Sequence, residues 1–421
     1  ASRRNGGEAG IEGHEAMFNR GIHISYVEAY PVPIQGHPPG GNAVNRVVNV
    51  PHSRAHAHSV LHTYCGVGRL SFVRQRPYRH KNMIKTNLRA EIERRENETL
   101  SRNAMRSSES QGRVRPEEPD SVRTAFQRDR DRILHSKAFR RLKHKTQVFI
   151  DPQGDHYRTR MTHTLEVSQV ARTIGRALAL NEDLIEAIAL GHDVGHPPFG
   201  HAGEAALDEA VSEIAGGPAE FRHYDQSLRV VDILEPLNLT HEVRMGIMGH
   251  SKGRKDLAVE DGIPTSTMEA AVVRVADRIA YLNHDLDDAL RSGIIRELPS
   301  ELSHLGMRHG ARVGMMVEDL LESSRDTDTV SLSPSMLKSM NLLKEWLFEE
   351  VYTKYPVLYP DINKAKRMVK MIFMDYVASG APDGFDGVQG ALDYVAGMTD
   401  RFAIREFKLR FLPSTFRSES E

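Results

Sequence analysis

The chain has 421 residues, of which 39% are hydrophobic and 27% charged. That is ordinary globular usage and excludes a wholly disordered or collagen-like protein. At roughly 150 residues per domain, two or three domains are expected. The formal net charge is -1, from 56 Lys+Arg against 57 Asp+Glu. No global basic field is therefore available to drive nucleic-acid binding. No apolar run approaches the roughly 18 residues of a membrane span. The single cysteine, Cys65, excludes an intramolecular disulfide framework and a cysteine-based zinc site, and it fits a reducing cytoplasm as the expected location.

Residues 1–82 carry Pro-Gly clusters (His37-Pro38-Pro39-Gly40-Gly41), scattered His and Arg, and no sustained period. They read as a disordered extension without a core of its own, with one short strand conceivable over Val44–Val50. Met83 begins a different kind of sequence, and a start of the protein at that residue is the expectation. Residues 83–122 read as a charged helical arm followed by a polar linker over 106–120. Apolar residues then recur at helical intervals: Phe126, Ile133, Phe139 and Leu142; Leu165, Val167, Val170, Ile174 and Leu178; Leu184 to Leu190; Leu228 to Leu234; Val272 to Leu290. A turn is expected at Gly262-Ile263-Pro264. A further helical set covers Met336–Tyr355, Ile362–Val377 and Val388–Phe402. The fold class read from this pattern is all-α. A main helical domain is expected over 123–330 and a C-terminal helical domain over 331–421.

Histidine, aspartate and arginine cluster in four segments. They are Arg158 to Glu166, His192 to Glu204, Phe221 to Ser227 and Arg274 to Asp285. His192 and Asp193 follow an apolar helix, at the end of a buried element. Imidazole nitrogen and carboxylate oxygen suit Mn, Fe, Co, Zn or Mg rather than a soft thiolate metal. His163 and Asp277 lie on two other helices and can complete such a set, since bundle interiors build metal sites from facing helices. A lone buried histidine is more often a hydrogen-bonded core residue. Asp277 within Val275-Ala276-Asp277-Arg278-Ile279 is harder to explain that way, because a buried carboxylate is costly unless paired. Arg274 or Arg278 are its candidate structural partners.

Pro197-Pro198 breaks the chain after His196, and Gly200 permits a turn. If a helix begins there, His201 and Glu204 share one face. The carboxylate then orients the imidazole as in general-base pairs, although Glu204 also suits a helix cap. Arg158, Arg160, Arg278 and the basic run Arg123–Lys145 are candidate phosphate holders. The run equally fits a solvated helix face. Tyr281 and Asp285 follow Asp277 at one-turn intervals, which suits a sugar or base and equally suits core packing. Asp400 and Arg401 fit an ion pair or a substrate contact alike.

Longer strings carry a resemblance. Phe139-Arg-Arg-Leu-Lys-His-Lys-Thr-Gln-Val-Phe149, Gly191-His-Asp-Val-Gly-His-Pro-Pro-Phe-Gly-His-Ala-Gly-Glu204, Asp277-Arg-Ile-Ala-Tyr-Leu-Asn-His-Asp285 and Asp393-Tyr-Val-Ala-Gly-Met-Thr-Asp-Arg-Phe402 resemble the deoxyguanosinetriphosphate triphosphohydrolase-like family of HD-domain phosphohydrolases. The similarity covers about residue 83 to the C-terminus. It implies hydrolysis of a deoxynucleoside triphosphate to deoxynucleoside and inorganic triphosphate. His163, His192, Asp193 and Asp277 match the metal ligands, for Mg²⁺ or Mn²⁺ first and Fe, Co or Zn next. His201 and Glu204 match the pair that activates water, and His196 and His223 match histidines near the α-phosphate. Arg160 matches a phosphate contact, with Arg278 beside it. Gln147 and Tyr281 match residues at the deoxyribose, with Asp285 nearby. The resemblance also implies a homo-oligomer with nucleotide effector sites. His223-Tyr224-Asp225-Gln226 departs from the usual His-Asn-x-Gln, and His196-Pro197-Pro198 from His-Thr-Pro, so base specificity stays open. Two other readings stand beside it. One is an HD phosphohydrolase of nucleoside monophosphates or cyclic nucleotides. The other is a regulator binding nucleotides or single-stranded nucleic acid through the basic run.

Overall fold

The apolar spacing that predicts helices does form them. In a computed structural model of the chain, residues 87–147, 158–251, 265–354 and 361–413 are described. Residues 1–82, Met83, the turn at 262–264 and Tyr355 lie outside them. The described residues belong to one compact unit, residues 80–421. Among them there is no strand; two isolated bridges, Arg113 with Thr240 and Thr146 with Thr159, are the only β pairing.

The site is carried by a set of helices around Glu182–Gly191 (α5 in chain order). Before it come Leu88–Thr99 (α1), Ala125–His135 (α2), Lys137–Arg141 (α3) and Arg160–Ala177 (α4). After it come Gly200–Ala215 (α6), His223–Arg229 (α7), His241–Gly249 (α8) and Met268–Arg291 (α9). Asn181 caps α5, its side chain accepting from the Asp183 and Leu184 amides. Leu184, Ile185, Ala187, Ile188 and Ala189 are fully buried. Burying each Leu or Ile contributes about 1.5–3 kcal/mol, and α5 packs against α2, α4, α8 and α9. Seven of its ten residues are buried, which places α5 at the centre of the bundle, and that is where its C-terminal pair His192-Asp193 is delivered.

The later helices are His309–Ser324 (α10), Pro334–Leu347 (α11), Asp361–Ser379 (α12), Gly387–Ala396 (α13) and Asp400–Phe411 (α14). A second core, around Phe199, Leu207, Phe221, Val369, Phe373, Tyr376 and Val395, joins α6 to α12 and α13.

Three expectations change. The single helix read over Val388–Phe402 is two helices, because Thr399 caps the second one, accepting from the Phe402 amide at 3.3 Å. Leu165, counted with an apolar face, is half-exposed; the buried face of α4 runs through His163, Thr164, Val167, Val170, Ala171 and Ile174. The polar stretch after residue 106 is tied down rather than loose. Ser107 donates to buried Glu96, Gln111 to Glu242, and Arg113 pairs with fully buried Asp129.

Candidate active site

Three helices converge on one point. His163 comes from α4, His192 and Asp193 from the end of α5, and Asp277 from the middle of α9. His163 Nε2 lies 3.1 Å from Asp277 Oδ1 and 3.9 Å from Asp193 Oδ2. His192 Nε2 lies 3.4 Å from Asp193 Oδ1 and 3.9 Å from Asp277 Oδ1. One ligand atom from each of His163, His192 and Asp277 falls within 4.8 Å of the others, a group able to hold a metal ion. Asp277 thus meets histidines, and Arg274 turns instead to the Gly249 carbonyl at 2.8 Å.

The tautomer of His192 is fixed by its surroundings. A carbonyl can only accept, so Nδ1–H donates to Ala189 O at 2.6 Å. The Nε2 lone pair then points into the cluster, and that buried atom has no hydrogen-bond partner. His163 is oriented by a longer relay. Its Nδ1 lies 3.4 Å from His284 Nδ1, and His284 Nε2 meets the Glu166 carboxylate. A ligating histidine held through its other nitrogen in this way is a general feature of metal centres. Burial alone would raise Asp193, but His192, His196 and Arg160 around it outweigh that and hold its carboxyl well below the usual range.

Arg160 is almost completely buried at the start of α4. Its Nη1 donates to Asp193 Oδ2 at 2.7 Å, while Nε and Nη2 have no partner. Arg158 is differently employed: it pairs with Asp288 at 2.9 Å and lies near Glu166 and Asp287. The first part of the basic run is likewise paired with carboxylates, Arg123 with Asp120 and Asp131, Arg128 and Arg132 with Glu117, Arg130 with Asp183. Over Arg123–Arg132 it is an ion-paired helix face. The phosphate role considered for Arg158 and for Arg123–Arg132 finds no support in these partners.

A turn separates the HD pair from α6. Phe199 stands at φ 62° and Gly200 at φ 55°, and Asp400 accepts the Phe199 amide at 2.9 Å. The α6 helix does begin there, and His201 Nδ1 lies 3.1 Å from Glu204 Oε2. Glu204 caps no amide of its own helix. Its Oε1 takes the His223 backbone amide at 2.9 Å and His223 Nδ1–H at 2.8 Å. Burial would raise Glu204, but His223 and His201 outweigh it and keep the carboxyl well below its ordinary value. His201 keeps 73% of its side chain exposed at the mouth, whereas His196 is buried and stacks on His223 at 3.9 Å. Burial and then Arg160 push His196 well below the usual imidazole range, so it is neutral. Gly195 allows this proximity: a Cβ there would lie 2.1 Å from Ser227 N and 2.7 Å from His223 O.

Farther along α9, the Arg278 guanidinium lies 5.3 Å over the half-buried Tyr281 ring. Asp285 is buried, accepts from the Tyr352 hydroxyl and leaves Oδ1 without a partner; burial pushes its carboxyl up to about 8. Gln147 is buried with Oε1 unpaired.

Two residues at the site, His250 and Tyr352, lie outside the sequence motifs, and Glu166, His284 and Lys145 stand inside the motif strings but carry no role there. His250 carried a readable signal, since Ile247-Met248-Gly249-His250 ends an apolar helix as Ile188-Ala189-Leu190-Gly191-His192 does. Tyr352 comes from a distant segment with no spacing to join it to Asp285.

Known proteins define the class. The HD domain family matches residues 160–282, and the phosphohydrolase-associated domain matches residues 330–409. The chain is therefore an HD-domain hydrolase. A deoxyguanosinetriphosphate triphosphohydrolase-like protein of Caldanaerobacter subterraneus subsp. tengcongensis is 49% identical over 331 residues, covering 75% of this chain and 93% of that protein. One from Desulfatibacillum aliphaticivorans is 48% identical over 355 residues, covering 78% and 99%. A solved structure of a hypothetical protein from Aquifex aeolicus aligns at 18% identity and TM-score 0.41, covering 66% of this chain and 67% of that one. The chain belongs to the deoxyguanosinetriphosphate triphosphohydrolase-like family. No described helix is long and apolar enough to cross a membrane.

Proposed function

We propose that this protein hydrolyses deoxynucleoside triphosphates to deoxynucleoside and inorganic triphosphate. The observation that carries the reading is the meeting of His163, His192 and Asp277, with Asp193 against both histidines, with two unpartnered donors of buried Arg160, beside the His201–Glu204 pair. The relatives' shared name supports the substrate class. We further propose that residues 123–330 supply this chemistry, residues 331–421 brace it, and residues 1–122 stand outside it.

The four N and O groups fit a divalent cation, Mg²⁺ or Mn²⁺. His192 Nε2 is a buried lone pair with no other use, and the two carboxylates balance the charge. When bound, such an ion supplies Lewis-acid withdrawal of charge from the α-phosphate. The remaining work falls to the chain. Arg160 offers Nε–H and Nη2–H to phosphate oxygens, where charge-assisted hydrogen bonds are strongest. Glu204 holds His201 so that its imidazole orients a water and takes its proton. The water oxygen bonds to the α-phosphorus, the bond from phosphorus to the 5′ oxygen breaks, and that oxygen leaves with a proton. Neutral His196 stands between Asp193 and His223, placed to donate a hydrogen bond. Gln147, Tyr281 and Asp285, with Arg278 behind the ring, form the deoxyribose side. A protonated Asp285 is both donor and acceptor, which suits a sugar hydroxyl.

The test is product analysis with each of the four dNTPs, singly and mixed, in Mg²⁺ or Mn²⁺. Tripolyphosphate with free deoxynucleoside is the expected result. Metal retained by Asp277→Ala at the wild-type level would refute the ligand set.

A further inference from the structure

Lys145 has no task in the reaction proposed above, yet it is 2% exposed beside the site. A lysine is rarely buried so deeply without partners. Both hydrogen bonds of its Nζ go to carbonyl oxygens, that of His196 and, at 3.0 Å, that of Ala396 at the end of α13. The His196 carbonyl needs this donor. Its residue is buried, and the chain just after it offers none: Pro197 and Pro198 have no N–H, and the Phe199 amide is committed to Asp400. The backbone of Lys145 has a partner of its own. Its carbonyl takes the Arg160 amide at 3.1 Å, at the start of α4, and the bridge between Thr146 and Thr159 extends that contact. One residue thus joins the backbone of Arg160 to the backbone of His196. Those two residues hold the two oxygens of one carboxylate. Arg160 Nη1 donates to Asp193 Oδ2 at 2.7 Å, and His196 Nε2 lies 3.3 Å from Asp193 Oδ1.

We infer that Lys145 is a positioning residue for the phosphate grip. Its carbonyl and its side-chain nitrogen together fix the separation of Arg160 and His196 on either side of Asp193. They thereby aim the unpartnered Nε and Nη2 of Arg160 at the phosphate oxygens of the substrate. The inference deepens the proposed function and rests on Arg160 as its phosphate contact. An apolar side chain of similar length fills the same space but supplies no N–H. The buried His196 carbonyl is then unsatisfied, and the turn that carries it moves to find another donor. His196 moves with that turn, and through Asp193 so does the Arg160 guanidinium. A displacement of about 1 Å at a group that orients substrate can cost about 10²-fold in rate. A lysine that merely braced α13 against the turn would leave the aim of Arg160 unaltered.

Calorimetry of the full chain with inorganic tripolyphosphate in Mg²⁺ reads the aim of Arg160 without turnover, and dGTP hydrolysis reads its effect on rate. Lys145→Met is expected to weaken tripolyphosphate binding by about 10–100-fold and to lower kcat by about 10²-fold, at temperatures where its melting curve shows it folded. Lys145→Gln keeps two N–H groups on a stem one bond shorter and should recover part of both. In an Arg160→Met background the Lys145 change should add little, because its loss already runs through Arg160. Two results would overturn the inference and leave Lys145 a structural brace. One is losses that multiply in the Arg160→Met background. The other is wild-type tripolyphosphate binding in Lys145→Met, or in Lys145→Gln where only that variant folds. A wild type that binds tripolyphosphate with the expected dependence but releases none from dGTP would refute the proposed reaction and leave the role of Lys145 standing. A wild type that binds none would overturn both.

Discussion

His201 is the most exposed member of the site, and Glu204 and His223 behind it are fixed by hydrogen bonds. Its removal therefore costs little structure and takes away a proton acceptor. His201→Ala is expected to lower kcat by about 10²–10⁴-fold, with metal content unchanged; wild-type turnover would remove His201 from the mechanism. The relay from Glu166 through His284 to His163 makes a different prediction. Glu166→Gln weakens the acceptor that sets the His284 tautomer, and through it the orientation of His163. Metal affinity should fall by about 10–100-fold, read by Mn²⁺ titration, and an unaltered affinity would show that the relay is ornamental. Lys145 supplies a pH signature. It is buried, its Nζ donates to the His196 and Ala396 carbonyls, and burial, with Arg141, pushes it down to about 7. In the unfolded chain it keeps its proton to about 10.4. Between those values the unfolded state binds more protons, so stability rises with pH through this group. The stability gap between wild type and Lys145→Met should widen from pH 7 to 9.5, by on the order of 1 kcal/mol per pH unit. Denaturation at the two pH values measures it, and a constant gap would contradict a neutral buried lysine.

At the scale of elements, the C-terminal helices act as clamps on the segments that present catalytic groups. Asp393 on α13 takes Gln226 Nε2 at 3.0 Å and Arg229 Nη2 at 2.7 Å, fixing α7 and hence His223. Asp400 at the start of α14 takes the Thr146 amide at 2.8 Å and the Phe199 amide at 2.9 Å. It thereby joins the segment bearing Gln147 to the left-handed turn that launches His201. Asp400→Ala leaves two buried amides unsatisfied, each costing about 1–3 kcal/mol. The melting temperature should fall and kcat with it, and Asp400→Asn should recover part of both; loss of stability with full activity would detach the clamp from the site. This role was not readable from Asp400-Arg401, where an ion pair and a substrate contact looked equally good. The amides it binds lie 254 and 201 residues away in sequence, and no periodicity connects them. The helices themselves were readable, because burial of α5 and α9 requires apolar spacing. The break at Thr399 was missed because the apolar pattern runs on through Val395, Met398 and Phe402 while a cap decides the boundary.

For the whole molecule, the motifs His163, His192-Asp193, Asp277 and His201…Glu204 could be picked out from the sequence because one helix end or one helix face carries each chemically unusual group. Their convergence, and the inclusion of His250, His284 and Tyr352, depends on how α8, α9 and the turn at Phe348–Tyr352 pack. The central claim is the bond that breaks. Hydrolysis of dGTP by the full chain in H₂¹⁸O, with both products weighed by mass spectrometry, tests it directly. Attack at the α-phosphorus predicts tripolyphosphate carrying one ¹⁸O and unlabelled deoxyguanosine. Label in deoxyguanosine, or dGMP with pyrophosphate, would contradict it.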